Sequence, residues 1–235
     1  MIKALFFDVF GTLVDWRSSI KNCGENLNVV KKEEFSWELF AIKWRLKYSP
    51  ILQAVNDKKL KWNILDELHK QTLDDLIKDM KIKFLKESHC KILINCWHNL
   101  EGWADSSSSL STLKNKFITA TLSNANISLQ KKLLKNANFE FDFIFSAEHF
   151  KKYKPAKEVY LGAVTYINLK PKDCALVASH KNDLYAASKL GFYTIFVQRN
   201  NEYGNYKHLF KERNFQADIT VQSLRYLEDE LVNFN

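Results

Sequence analysis

The chain has 235 residues, 46% of them hydrophobic and 26% charged, with 17 Phe, six Trp, six Gly and three Pro; that balance suits one substantial packed core and excludes a disordered or collagen-like chain. Its formal charge of +8 comes largely from scattered lysines, with KK pairs at 31, 58, 131 and 151, and without clustered Arg or interleaved aromatics no nucleic-acid surface is expected. No apolar run approaches 18 residues, so no membrane span is expected, and MIKALFFDVFGTL reads as an opening strand and not a secretion signal. Cys23, Cys90, Cys96 and Cys174 form neither a CxxC pair nor a His/Cys cluster of metal-ligand spacing, which predicts reduced thiols, a core role for Cys174 and a cytoplasmic location.

In chain order, residues 3–9 (KALFFDV) are a short apolar run closed by Gly11-Thr12, as expected of a buried parallel strand. Residues 17–96 read as helices: Trp37, Phe40, Ile42, Trp44 and Leu46, then Ile64, Leu65, Leu68, Leu73 and Leu76, recur at helical spacings among polar residues. The polar run Ser106 to Ser109 predicts a loop, followed by a helix over LSTLKNK. Further strands are expected at 117–122, within 141–150, at 175–179 and, last, at 193–197, with helices over SLQKKLLKN, AKEVYLGAVTYI and DLYAASKLG between them. The alternation predicts an α/β fold, an open, mostly parallel sheet with helices on both faces, formed by 1–16 and 97–235 and carrying a helical cap at 17–96.

Ligands of open α/β sheets bind at the carboxyl ends of strands. There the sequence places Asp8, then Ser123 and Asn124, then His180 and Asp183, with Lys154 before Pro155 able to join them. A carboxylate at the tip of a buried strand is positioned and partly desolvated, as a carboxylate nucleophile must be. Taken singly, Asp8 reads equally well as a turn former, His180 as a structural histidine and Arg45 as a surface ion-pair residue.

Together the residues resemble the haloacid dehalogenase superfamily. Its first motif, a hydrophobic strand followed by DxxGTL, is matched by Asp8 to Leu13; its second by Thr121-Leu122-Ser123-Asn124; its third by Lys154-Pro155; its fourth by the segment through Asp183. Superfamily phosphatases usually carry a second Asp two residues after the nucleophile, where this chain has Phe10, so the resemblance does not favour phosphate chemistry or its Mg²⁺.

A narrower resemblance is to the type II (S)-2-haloacid dehalogenases, carried by Asp15-Trp16, Trp44-Arg45, WHNLEGWAD at 97–105, LSNAN at 122–126, KPAKEVY at 154–160, and Gln198-Arg199 with Glu202-Tyr203-Gly204. It implies hydrolytic dehalogenation of small anionic 2-haloacids through an aspartyl ester, with no metal and no cofactor. Asp8 is then the nucleophile, Lys154 its charge partner, Asp183 the acid that organises water, and Ser123 a further catalytic residue. Arg45 receives halide and substrate, with Asn124 and Phe10 beside them, Thr12 supporting the nucleophile, Tyr160 behind the site and His180 able to hydrogen-bond Asp8 or hold Asp183. Trp44 and Trp62 are candidates for an apolar wall, although packing alone explains each. The chain departs from better-known members at His180 and Asn182, where they carry Asn and Trp; the missing aromatic bears on the halide pocket. A homodimer would form through the helical block. The competing readings are a Mg²⁺-dependent phosphate-ester hydrolase and a non-catalytic small-molecule binder on the same fold.

Overall fold

The computed structural model describes residues 1–234. Strand β1 (Ala4–Phe7) is wholly buried. It is followed by the short strand β2 (Val14–Asp15), which pairs antiparallel with β3 (Glu101–Gly102). The main sheet is completed by β4 (Ile118–Ser123), β5 (Phe143–Ser146), β6 (Cys174–Ala178), β7 (Tyr193–Val197) and β8 (Ile219–Val221), in the order β5-β4-β1-β6-β7-β8, all parallel. The order reverses at β1, with β4 on one side and β6 on the other, so the crevice of the sheet opens at the carboxyl end of β1.

Alternating side chains of each strand feed two cores. Phe6, Leu122, Phe145 and Leu176 face Tyr160 and Leu184, from α9 (Lys157–Tyr166) and α10 (Lys181–Ser188). Leu5, Phe7 and Val177 face Leu110, Leu129 and Leu133, from α6 (Ser106–Lys114) and α7 (Ile127–Asn136). This second core runs on without a break into α1 (Trp16–Glu25), α2 (Trp37–Leu46), α3 (Tyr48–Asn56), α4 (Leu65–Asp79) and α5 (Glu87–Cys96) through Trp16, Phe40, Trp44, Leu68 and Trp97. Each such side chain contributes roughly 1.5–3 kcal/mol by burial, so the helical layer is anchored to the sheet by its aromatic root. Helices α8 (Ala147–Phe150) and α11 (Leu227–Phe234) complete the chain.

Three expectations are corrected. The serines at 106–109 open α6 instead of forming a loop: Ser106 and Ser109 share its buried face with Leu110 and Leu113, and the Ser106 hydroxyl donates to the Leu13 carbonyl at 2.9 Å. Strands β2, β3 and β8 went unread because two or three residues carry no period. The thiols are not all reduced, since Cys23 and Cys96, with Cα atoms 6.6 Å apart, form a disulfide. They lie 73 positions apart in the chain, and the packing of α1 on α5 brings them together. Cys174 is a buried core residue, as expected. No described helix is long and apolar enough to cross a membrane.

Candidate active site

Asp8 follows β1 by one residue, and its N–H still donates to the Val177 carbonyl of β6 at 3.0 Å. Its buried carboxylate therefore stands at the sheet's carboxyl edge, where the strand order reverses. The chain then turns sharply at Gly11, whose φ of +84° disfavours any side chain. That turn brings Thr12 back, and its hydroxyl donates to Asp8 Oδ2 at 2.9 Å. Across the crevice, Asn124 accepts the Lys154 backbone N–H at 2.7 Å and so fixes the loop from which the lysine reaches inward. Lys154 Nζ then lies 2.9 Å from Asp8 Oδ1 and 2.5 Å from Asp183 Oδ2. Asp183, in the first turn of α10, where a helix N-terminus favours a carboxylate, also accepts the Tyr160 hydroxyl at 2.5 Å. His180, just before α10, has Nδ1 3.0 Å from Asp8 Oδ2 and Nε2 2.9 Å from Glu202 Oε1.

The charges decide one another's ionisation. Burial pushes the Asp8 carboxyl upward, but the Lys154 charge and the His180 contact outweigh it and hold the group well below the usual carboxylate range. Burial disfavours the Lys154 ammonium, and Asp183 and Asp8 more than compensate, so it is held charged. Burial likewise opposes the His180 cation, yet Glu202 and Asp8 push it up to about 10. Desolvation, together with Asp183, keeps the Tyr160 phenol protonated.

Asp8, Lys154, Tyr160, His180 and Asp183 line a cavity of about 550 Å³ together with Arg45, Leu46 and Tyr48 from the helical layer and Tyr203 and Phe210 from the chain after β7. The Arg45 guanidinium lies over the Tyr48 ring at 4.0 Å, and its Nη1 is buried with no hydrogen-bond partner among the described residues. A desolvated cation with an unspent donor calls for an anion.

The structure thus brings Asp8, Thr12, Lys154, Tyr160, His180 and Asp183 into one bonded network, with Phe10, Arg45 and Asn124 lining the same cavity. Ser123 stands apart: its hydroxyl accepts the Ala125 N–H at 3.1 Å and bonds none of these groups. Trp44 and Trp62 are packing residues, the first donating to Thr72 at 3.0 Å and the second stacked on Tyr153 at 4.7 Å. Asn182 is exposed at the rim, donating to the Lys211 carbonyl at 3.1 Å. The aromatic surface comes instead from Phe210, stacked on Tyr203 at 4.1 Å. Sequence reasoning noted Glu202 only within a matching segment and gave it no role, and it missed Tyr48 and Phe210. For Glu202 the further signal was a carboxylate in the loop after β7, because that loop also leaves the carboxyl edge of the sheet.

No cluster of three or more His, Cys, Asp or Glu side chains suited to a metal occurs among the described residues. Asp8 and Asp183 each direct an oxygen at the Lys154 ammonium, and position 10 offers a phenyl ring. The set of hard oxygen ligands that Mg²⁺ takes is therefore not assembled here.

Comparison with known proteins agrees with this geometry. A family model described as haloacid dehalogenase-like hydrolase matches residues 2–191. The (S)-2-haloacid dehalogenase 4A of Burkholderia cepacia is 28% identical over 209 residues, 84% of each chain. Among solved structures, the L-2-haloacid dehalogenase PA0810 is 34% identical with a TM-score of 0.88 over 98% of this chain and 100% of its own. The defluorinating L-2-haloacid dehalogenase Rha0230 is 30% identical with a TM-score of 0.90 over 98% and 95%. With a strand-end carboxylate, a lysine bridging it to a second acid and a matching fold along nearly its whole length, the chain belongs to the haloacid dehalogenase-like hydrolase family.

Proposed function

We propose that the protein hydrolyses the carbon–halogen bond of small (S)-2-haloacids, giving a 2-hydroxy acid and halide through an ester on Asp8, without a metal or cofactor. The observation that carries the reading is the cavity itself, lined by an ionised carboxylate held by Lys154 and by the Arg45 guanidinium, whose buried Nη1 has no partner among the described residues. The acids Asp8, Asp183 and Glu212 and the cations Lys154, His180, Arg45 and Lys211 line the cavity, with Glu202 against His180 as a fourth acid. An anionic substrate entering this balanced site is not repelled by the nucleophile as it would be by an unpaired aspartate. Asp8 attacks the halogen-bearing carbon, the halide leaves with the bonding electrons, and a cation aimed at the departing ion lowers the barrier. The walls formed by Phe10, Tyr48 and Phe210 displace water that would compete with the carboxylate.

Asp183 then orients a water for attack on the ester, with Tyr160 fixing one oxygen of that acid. In this reading the helical segment 17–96 acts as the cap that closes over the carboxyl edge, with Arg45 its contribution to chemistry. The test is halide release, without added metal, from each enantiomer of 2-chloropropionate by the wild type and by Asp8→Asn. Release selective for the S enantiomer and reduced by a factor on the order of 10⁵ in the variant, the scale of losing a covalent nucleophile, supports the assignment. No release from either enantiomer sinks it for these substrates and makes metal-dependent phosphate esters the next to assay.

A further inference from the structure

The two oxygens of Asp8 are held unequally. Among the described residues Oδ1 meets only Lys154 Nζ, at 2.9 Å, whereas Oδ2 meets both the Thr12 hydroxyl, at 2.9 Å, and His180 Nδ1, at 3.0 Å. Thr12 is free to donate, because its oxygen already accepts the Ser179 N–H at 2.9 Å. The far nitrogen of His180 faces a second carboxylate, Glu202, at 2.9 Å. A ring with a carboxylate oxygen at each nitrogen is satisfied only as the imidazolium, donating twice.

Glu202 is placed with equal care. It is 2% exposed, accepts the Trp16 indole N–H at 2.9 Å and the Ser179 hydroxyl at 3.2 Å, and packs where Gly11 has no side chain. A side chain at position 11 would collide with that carboxylate. The cations Arg45 and Lys154 also act on this group of charges, and neither can replace Glu202 as an acceptor for His180.

We propose that His180 and the Thr12 hydroxyl form the oxyanion hole for hydrolysis of the Asp8 ester, and that Glu202 is the positioning residue that keeps His180 oriented and doubly protonated. The inference rests on the dehalogenase reading. In the first half-reaction Oδ1 bonds to the substrate carbon, the carbon–halogen bond breaks and the halide departs, leaving Oδ2 as the ester carbonyl. Water then bonds to Cγ of Asp8, giving one proton to Asp183 as the carbonyl electron pair moves onto Oδ2. Collapse breaks the Cγ–Oδ1 bond, and the alkoxide takes the proton from Asp183. Asp8 returns as a carboxylate carrying one water oxygen, and its remaining proton passes to solvent.

Charge thus disappears from Asp8 in the first half and reappears on Oδ2 in the second, with donors already at 2.9 and 3.0 Å. Fixed donors at such distances act where charge develops. In the first half the same donors stabilise the carboxylate before it reacts. Loss of the His180 charge therefore slows ester hydrolysis far more than ester formation.

The experiment is rapid-quench mixing of excess (S)-2-chloropropionate with wild type, Glu202→Gln and His180→Ala, counting chloride and hydroxy acid separately and reading the intact protein mass. Glu202→Gln preserves the size of the buried side chain, so it remains informative if His180→Ala folds poorly. The expected result is a burst of one chloride per protein in both variants, a covalent propionate adduct on the chain, and hydroxy-acid release slowed about 10-fold in Glu202→Gln and about 100-fold in His180→Ala. His180→Asn, which restores a neutral donor, recovers part of the loss. Chloride and hydroxy acid falling by the same factor with no adduct, or both variants hydrolysing at the wild-type rate, overturns the proposal. A wild type that releases no chloride fails at the underlying dehalogenase reading instead.

Discussion

His180, partly buried at the carboxyl edge of the sheet, and His69, buried in α4 at the root of the helical layer, are driven by their surroundings to opposite charge states. His180 lies between two carboxylates and is pushed up to about 10, with burial opposing and Glu202 and Asp8 prevailing. His69 stacks on Trp97 at 4.3 Å and lies beside Trp44, Tyr48 and Phe10; neither ring nitrogen has a hydrogen-bond partner among the described residues, and burial lowers it to about 3. Desolvation acts in the same direction on both. What differs is the company: the sheet edge gathers opposite charges into a network that sustains ionised groups, whereas the helical layer gathers rings that tolerate only a neutral one. The cavity lies where these two regions meet, with Arg45 carrying charge out of the aromatic side.

The comparison can be broken most severely at Arg45. Arg45→Lys keeps the charge but loses the flat ion that covers Tyr48 and its several fixed donors; kcat/KM for halide release should fall about 100-fold, with the loss of a fixed donor to the developing halide setting the scale. Wild-type kinetics in that variant would mean that the helical layer supplies only a cover.

The next effect concerns what holds that layer. The Cys23–Cys96 disulfide closes a loop around all of α2 to α5, so reducing it, or the variant Cys23→Ser, should lower unfolding free energy by roughly 2–4 kcal/mol. Chemical denaturation with and without reductant measures this, and little change in the midpoint would show that packing alone sets the layer.

The smallest effect separates the histidines directly. His180 has a raised value, so its stabilisation is complete below pH 6.5 and is lost as pH climbs through about 10; His69 has a lowered one, so its stabilisation is complete above pH 6.5 and is lost as pH falls toward 3. These two groups place maximum stability near pH 6.5. His69→Leu, which removes two unsatisfied nitrogens, should gain about 1 kcal/mol and flatten the acid limb alone, as read from thermal melts across that range. An acid limb that stays as steep assigns the effect to other groups.

Much of the sheet side was legible. The apolar run before Asp8, the strands ending at Ser123 and near His180, and Lys154 before Pro155 all carry local signals, because a buried parallel strand and its end are written in consecutive residues. Asp183 was placed by its strand end and Tyr160 by the resemblance, and the hydrogen bond that joins them at 2.5 Å was implied by neither. The helical side was legible only as helices. That Cys23 meets Cys96, that Trp44 packs against Thr72 and not the cavity, and that Phe210 fills the wall Asn182 leaves bare are consequences of tertiary contact between distant segments. Glu202 shows the same limit within the site. Its partners are Gly11 and Trp16 near the start of the chain and the adjacent Ser179 and His180, and no spacing predicts their meeting with it.

The central claim is that Asp8 itself bonds to the substrate. The direct measurement is one turnover of (S)-2-chloropropionate by excess enzyme in H₂¹⁸O, followed by mass analysis of the hydroxy acid and of the peptide containing Asp8. The ester route predicts one ¹⁸O in the Asp8 carboxylate and an unlabelled product hydroxyl. Label in the product hydroxyl, with an unlabelled Asp8, would show that water attacks the carbon directly and would contradict the account.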